Sequence, residues 1–287
     1  MNRLLEDLVK LMTLERLELD LFRGESRDIG SPQVFGGQVL GQALVAATAT
    51  VESRAVHSLH AYFLRRGDCN APIVYEVDRA RDGNHFSTRR IVAIQHGEQI
   101  FNMSASFQTP EAGLDHQSSM PAVPAPDQLR DAEFYLRDAL PKMPPGIRRL
   151  LEKKRPFEFR PVDVPNLLQP EKLPPLRNVW FRAVGALPDD EALHRALLAY
   201  VSDFNLLDTA TMPHGLSFVS TNLVMASIDH AMWFHRPVRV DEWLLYSTDS
   251  PSASGARGFT RGQIFSTDGR LVASACQEGL MRRVERR

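Results

Sequence analysis

The sequence predicts an α+β fold built from two like units joined by a proline-rich connection. Three observations carry this prediction. Of the 19 prolines, 12 fall within residues 121–175, where the chain has no long run suited to a strand or a helix. The flanking stretches show the same order, a helix and then several strands. Finally, His60-Ala61-Tyr62-Phe63 is echoed by His230-Ala231-Met232-Trp233. The last strand begins at nearly the same distance from each anchor, at Ile100 (100 − 60 = 40) and at Leu271 (271 − 230 = 41). A length of 287 residues suits two ordinary domains.

Residues 1–22 carry acids throughout and lack the apolar run of a signal peptide. The small-residue stretch 36–50 reads as a helix. Within it, Gly37 and Gly41 form a narrow face that a curved sheet can approach closely. Strand patterns follow at 57–64, 73–79, 86–95 and 99–108, the last two joined by a turn at His96-Gly97. The stretch 81–84, Arg-Asp-Gly-Asn, reads as a hairpin turn. The connection admits at most short helices, such as 127–140, and is too long for a loop inside one compact domain. The second unit repeats the order: a helix at 191–209, strands at 223–234, 242–248 and 256–265, a turn at Asp268-Gly269, and a strand at 270–282. Gly97 and Gly269 both precede a final strand, where a tight turn needs positive φ. The expected units are 1–115 and 156–287, with 116–155 as linker.

Composition narrows the function classes. With 43% hydrophobic and 24% charged residues, the chain reads as globular. Its 34 basic and 35 acidic residues argue against nucleic acid or an anionic membrane as a bulk partner. No stretch approaches the roughly 20 apolar residues of a membrane span. Cys69 and Cys276 have neither CxxC nor metal-ligand spacing, and read as reduced thiols in a reducing compartment. The histidine pairs His57/His60 and His230/His235 are three and five apart, so on strands each pair points to opposite faces and forms no ligand set. They read as core or interface residues, with His57 a candidate to line a substrate channel. No GxSxG elbow, GxGxxG or P-loop is present.

Several segments resemble the bacterial acyl-CoA thioesterase II family. They are Val34-Phe35-Gly36-Gly37-Gln38, residues 57–68 (HSLHAYFLRRGD), Arg81-Asp82-Gly83-Asn84, residues 228–237 (IDHAMWFHRP) and residues 271–279 (LVASACQEG). The likeness runs from about Leu4 to Arg282. It implies a double-hotdog fold, hydrolysis of acyl-CoA to free acid and CoA, no metal or organic cofactor, and assembly into a homo-oligomer, dimer or tetramer. It also implies a catalytic trio, which falls on Asp203, Ser227 and Gln277; serine in place of threonine keeps the hydroxyl. Eukaryotic peroxisomal thioesterases are similar but are expected to end in a targeting tripeptide. The sequence ends Val284-Glu285-Arg286-Arg287, which favours the bacterial type and a cytoplasmic location.

The residues support the trio unequally. Asp203, if helical, has Ala199, Tyr200, Leu206 and Leu207 three and four positions away, a costly place for an unpaired carboxylate. The pattern alone also admits a solvated acid at the edge of an apolar stripe. Gln277 alternates with Leu271, Ala273, Ala275 and Gly279 and needs a partner, which backbone groups can equally provide. Ser227 shares a strand face with Leu223, Met225 and Asp229, and alone it carries no signal.

Thioester hydrolysis needs an oriented water, a base and a donor for the developing oxyanion. Asp203 is suited to take the proton, and Ser227 and Gln277 to hold the water. Backbone N–H groups near a helix can serve the carbonyl oxygen, although the sequence does not name the donor. Asp203 as general base is preferred, and direct nucleophilic attack through an anhydride stays open. A hotdog hydratase would place an Asp and a His on one helix-proximal segment, yet no His lies within ten residues after Asp203. A non-catalytic acyl-CoA binding module would be expected to lack the trio. Arg257 and Arg261 read as solvated surface charge, with phosphate contact the alternative. Ser106 stands where the second unit has Gln277, so the chemistry is expected in the second unit and the first completes the acyl and CoA site.

Overall fold

The computed structural model describes residues 2–164 and 166–284. The C-terminal residues 285–287, part of the targeting argument above, lie outside them. Helix α1 (Arg3–Met12) is capped by the Asn2 side chain, which accepts the Leu4 N–H at 2.9 Å. Its Leu5, Leu8, Leu11 and Met12 fall three and four apart on one buried face. A short hairpin, β1 (Glu15–Glu18) and β2 (Leu21–Gly24), precedes α2 (Gly36–Thr48). Strands β3 (Ala55–Phe63), β4 (Ile73–Asp82), β5 (Phe86–Gln95) and β6 (Glu98–Gln108) complete the first half. The connection carries α3 (Ala132–Leu136) and α4 (Pro145–Glu152). The second half comprises β7 (Phe157–Pro161), β8 (Leu176–Ala183), α5 (Glu191–Ser202), β9 (Leu223–Ser227), β10 (Asp229–Phe234), β11 (Leu244–Ser254), β12 (Arg257–Ser266) and β13 (Leu271–Arg283). Among the described residues, no helix is long and apolar enough to cross a membrane.

The strands form one antiparallel sheet in the order β1-β2-β4-β5-β6-β3-β10-β13-β12-β11-β8-β7, with β9 added on β13. Outward from its centre, β3-β6-β5-β4 matches β10-β13-β12-β11. The central strands pair antiparallel, His230 with Ala61 and Ala231 with His60, and matching register shifts in the outer hairpins, at Asp78/Arg81 and Asp249/Ser252, lie 171 residues apart (249 − 78). The two halves are therefore related by a pseudo-two-fold axis between β3 and β10, and each half lays its helix inside its own curl of sheet. This is the expected α+β, double-hotdog architecture.

The two central helices pack against each other and run antiparallel. A Cβ at Gly37 would stand 2.2 Å from the Tyr200 carbonyl oxygen, and one at Gly41 would stand 3.0 Å from that of Ala196. The glycine face thus meets a second helix instead of a curved sheet. The reason is that two wrapped helices leave each other as the nearest partner, and glycine permits backbone-to-backbone approach.

Among the boundaries that differ from the sequence reading, three are the most informative. The helix expected at 191–209 ends at Ser202. Asp203 is its C-cap, Asn205 takes φ 64°, and a 3-10 segment follows at Leu207–His214. Asparagine tolerates that left-handed conformation and stops the helix. The strand expected at 223–234 breaks at Ile228. There the Ile228 N–H donates to Glu278 O at 3.0 Å, and its carbonyl accepts the Phe63 N–H at 2.9 Å. The helix expected at 127–140 shrinks to the five residues of α3, capped by Asp131, with a 3-10 turn before it at Pro126–Gln128 and another after it at Leu140–Lys142. The connection lies along the second half: Trp180 Nε1–H donates to Pro124 O at 2.9 Å, and Gln117 bonds to Gly269 and Leu271.

Candidate active site

Asp203, Ser227 and Gln277 come together although they lie on three separate elements. Asp203 caps α5 with a side chain only 6% exposed. Gln277, on β13, is buried and donates its Nε2–H to Asp203 Oδ1 at 2.7 Å. Ser227, the last residue of β9, pairs with Gly279, which places its side chain on the Gln277 face of the sheet. Asp203 and Ser227 line two adjoining clefts, of about 440 Å³ and about 240 Å³, and Gln277 lines the smaller. Gly279 has no side chain where Leu207 sits, since a Cβ there would meet Leu207 Cδ2 at 2.3 Å. The segment after Asp203 can therefore settle onto the sheet.

A fourth residue fixes the orientation of Gln277. His230 is fully buried, with Nδ1 3.2 Å from Gln277 Nε2 and Nε2 3.0 Å from Ser202 Oγ. An Asp203 carboxylate oxygen at 2.7 Å must face the amide nitrogen, so both Gln277 N–H groups point toward acceptors. His230 Nδ1 then accepts, and its Nε2–H donates to Ser202, whose hydroxyl donates to Ala199 O at 2.9 Å. The imidazole is neutral in this arrangement. Burial lowers its pKa below the usual 6.5, and the nearby Asp203 charge pulls weakly the other way. Tyr246 O–H donates to Ser202 O at 3.0 Å and anchors the same turn; burial raises its pKa well above the ordinary value. One buried polar atom is left over: Gln277 Oε1 has no partner among the described residues.

The opposite wall is the N-terminus of α2. A Cβ on Gly36 would stand 2.7 Å from Asp203 Oδ2 and 3.0 Å from Phe63 Cε1, so only glycine fits. Phe35 occupies the N-cap and offers no side-chain acceptor. Among the described residues, no acceptor takes the N–H of Gly36 or Gly37. An uncapped helix start carries positive potential and free donors, and here it faces a carboxylate across a cleft. The sequence signal was present in Phe-Gly-Gly, where a capping Ser, Thr, Asp or Asn would be ordinary. His230, read from sequence as a core histidine with satisfied ring nitrogens, is one, and its partner is a member of the trio.

The equivalent place in the first half is differently furnished. Ala49 caps α2 as Asp203 caps α5; by the pseudo-two-fold relation Val56 stands for Ser227 (227 − 171 = 56) and, through the pairs Arg89–Ala105 and Thr260–Gln277 (260 − 171 = 89), Ala105 stands for Gln277, so the Ser106 expected there lies on the other face of its strand. His57 Nε2 lies 2.8 Å from Ser106 Oγ, and Arg195 Nη1 donates to Val56 O at 2.6 Å. Arg257 and Arg261 lie away from the clefts and pair with Glu278 and Asp249 as exposed ion pairs. Among the described residues, no His, Cys, Asp and Glu cluster could hold a metal.

Known proteins share this framework. A family model for the acyl-CoA thioesterase N-terminal domain matches residues 23–108, and one for acyl-CoA thioesterase matches residues 148–280. The chain is 43% identical to acyl-CoA thioesterase 2 of Haemophilus influenzae over 283 residues, covering 98% of this chain and 99% of that one. It is 42% identical to human acyl-coenzyme A thioesterase 8, covering 95% and 88% respectively. An acyl-CoA thioesterase II structure from Mycobacterium marinum superposes with a TM-score of 0.79 at 43% identity, over 96% of this chain and 98% of that one. In fold alone, a hot dog protein of Alicyclobacillus acidocaldarius is similar, at TM-score 0.76 and 18% identity, over 96% and 98% of the two chains.

Proposed function

Because the chain belongs to the acyl-CoA thioesterase II family and is an acyl-CoA thioester hydrolase, we propose that Asp203, Ser227 and Gln277 form one catalytic centre per chain for fatty acyl-CoA. The observation that carries this reading is the polarised amide of Gln277. Its two N–H groups are engaged by Asp203 and His230, which leaves Oε1 buried without a donor. A water bridging Asp203 and Gln277 Oε1 would satisfy that acceptor, and the Ser227 hydroxyl supplies a third contact.

In this mechanism Asp203 takes a proton from the bridging water as its oxygen attacks the thioester carbon. The carbonyl oxygen, becoming an oxyanion, is met by the N–H groups at the start of α2. The C–S bond then breaks, the carbonyl re-forms, and the proton held by Asp203 passes to the departing CoA sulfur. His230 touches neither substrate nor water; it positions Gln277. The first half contributes the oxyanion donors of α2, and its own version of the centre lacks the carboxylate, having Ala49. Lipid metabolism in the cytoplasm, with the protein as a homo-oligomer, is the proposed setting. The test is release of CoA thiol from a chain-length series of acyl-CoAs. Turnover that depends on Asp203 is expected. Binding of acyl-CoA without thiol release would leave a non-catalytic acyl-CoA module instead.

A further inference from the structure

A separate cavity of about 390 Å³ opens beside the reaction cleft, between the connection and the second half. Leu136 at the end of α3, Ala139 three residues beyond it, Leu151 on α4 and Phe159 on β7 give it apolar walls. It meets the cleft at Arg155, Asn205 and Phe218, which line both spaces. Asn205 is the left-handed residue two positions after Asp203. A path therefore runs from the proposed reacting atoms past these three residues into an apolar chamber.

Arg155 makes the junction chemically distinctive. Arg155 is partly buried and its guanidinium lies over the Phe204 ring, 4.8 Å from the centroid. No carboxylate or other acceptor among the described residues pairs with it. A partly buried guanidinium with no protein partner is placed to donate to an incoming acceptor. The carboxylate formed by hydrolysis would be such an acceptor once it leaves the α2 donors.

From this geometry we infer that the chamber walled by the connection receives the acyl chain, so that the connection, and not the first half, sets chain-length preference. The inference rests on the thioesterase reading. The other side of the site supports the assignment, because the larger cleft opens past Arg66, which suits a phosphate of CoA, beside Arg65, which is held by Glu98. At roughly 30 Å³ per water-sized group, the chamber has room for about a dozen methylenes. A medium to long alkyl chain fits it.

Binding of S-butyl-CoA and S-dodecyl-CoA, thioethers that undergo no hydrolysis, tests the chamber apart from the reaction. Each methylene removed from water gains roughly fourfold in affinity. The native protein should therefore bind S-dodecyl-CoA at least tenfold more tightly than S-butyl-CoA, by calorimetry. Ala139→Trp fills the chamber and should reduce that preference at least fivefold. Leu136→Ala enlarges it and should raise the preference for S-hexadecyl-CoA over S-dodecyl-CoA. A native preference retained in Ala139→Trp overturns the inference, as does a native protein blind to chain length. Should Ala139→Trp fail to melt cooperatively, an unchanged profile in Leu136→Ala overturns it equally. Absence of thiol release from a native protein with the expected preference would remove the reaction and leave the chamber standing.

Discussion

Asp203→Asn separates chemistry from architecture at this site. The substitution is nearly isosteric, and the Asn oxygen can keep the Gln277 Nε2–H contact, now 2.7 Å long, while its amide nitrogen takes the position of Oδ2 beside Gly36. A hydrogen bond to a charged acceptor contributes about 1.5–3 kcal/mol and a neutral one about 0.5–1.5 kcal/mol, so roughly 1 kcal/mol is lost there. Relief from burying a carboxylate that is 6% exposed acts in the opposite direction. The net stability change should stay within about 1 kcal/mol, a melting shift of at most about 4 °C. The kinetic effect is of another size. Removing a general base costs about 10²- to 10⁴-fold, or about 3–5.5 kcal/mol of barrier at 1.36 kcal/mol per decade. CoA-thiol release from dodecanoyl-CoA should fall by that factor in kcat/KM, while S-dodecyl-CoA binds within threefold of native. A folded Asn variant that keeps more than a tenth of native kcat/KM would refute Asp203 as the base.

Three further outcomes follow from the same geometry. Gly36→Ala sets a methyl 2.7 Å from Asp203 Oδ2 and 3.0 Å from Phe63, so it should cost about 1–3 kcal/mol of stability by denaturant titration and at least 10²-fold in kcat. Ser227→Ala should lose about 2- to 10-fold in kcat/KM, the worth of one neutral hydrogen bond, whereas Ser227→Thr stays within twofold; equal losses in both variants would mean that the hydroxyl is unused. Burial lowers the His230 pKa from 6.5, so the unfolded chain binds the extra proton first as pH falls. The stability contributed by neutral His230 is whole above about pH 6.5 and declines below it, toward the folded-state pKa. Melting temperature should therefore drop between pH 7.5 and pH 5.5 more steeply in the native protein than in His230→Gln, and parallel slopes would argue against the neutral imidazole.

The duplication was legible because its marks are local. Proline punctuation and the turn glycines before the last strands follow from backbone preference, and the sheet places them where the repeat requires; the His-Ala pairs mark the two central strands, although His60 is exposed and His230 buried. What stayed hidden depends on contacts far apart in the chain. Gly37 and Gly41 read as a smooth face, but nothing in their spacing says that α5, more than 150 residues later, is what they meet (Ala196 minus Gly41 is 155). The helix was extended through Asp203 because its apolar spacing continues, while Asn205 ends it by a conformational tolerance that hydrophobic period does not register. Asp203 was therefore suspected for helix neighbours it only partly has; its actual environment is a helix end, a glutamine and a glycine. His230 was legible as buried and satisfied, but its link to Gln277 crosses 47 residues and needed the β10–β13 pairing to appear.

The pseudo-two-fold axis also accounts for the asymmetry between the halves. Each helix ends beside the start of the other, so a centre at the end of α5 draws its backbone donors from α2, and the mirrored centre at the end of α2 would draw on α5. The α2 start is glycine with no capping side chain. The α5 start is capped by Asp190, which accepts from Ala192 and Leu193, while Arg195 is bonded to Glu191 and Val56. The donors that the mirrored centre would need are thus already occupied, and its carboxylate position is Ala49. Placing Asp at position 49 alone would leave those donors satisfied and Val56 and Ala105 in place of a serine and a glutamine. Specialisation of the halves is therefore distributed over the helix start, the helix end and the strand, and on the proposed mechanism neither half alone assembles both the base and the oxyanion donors.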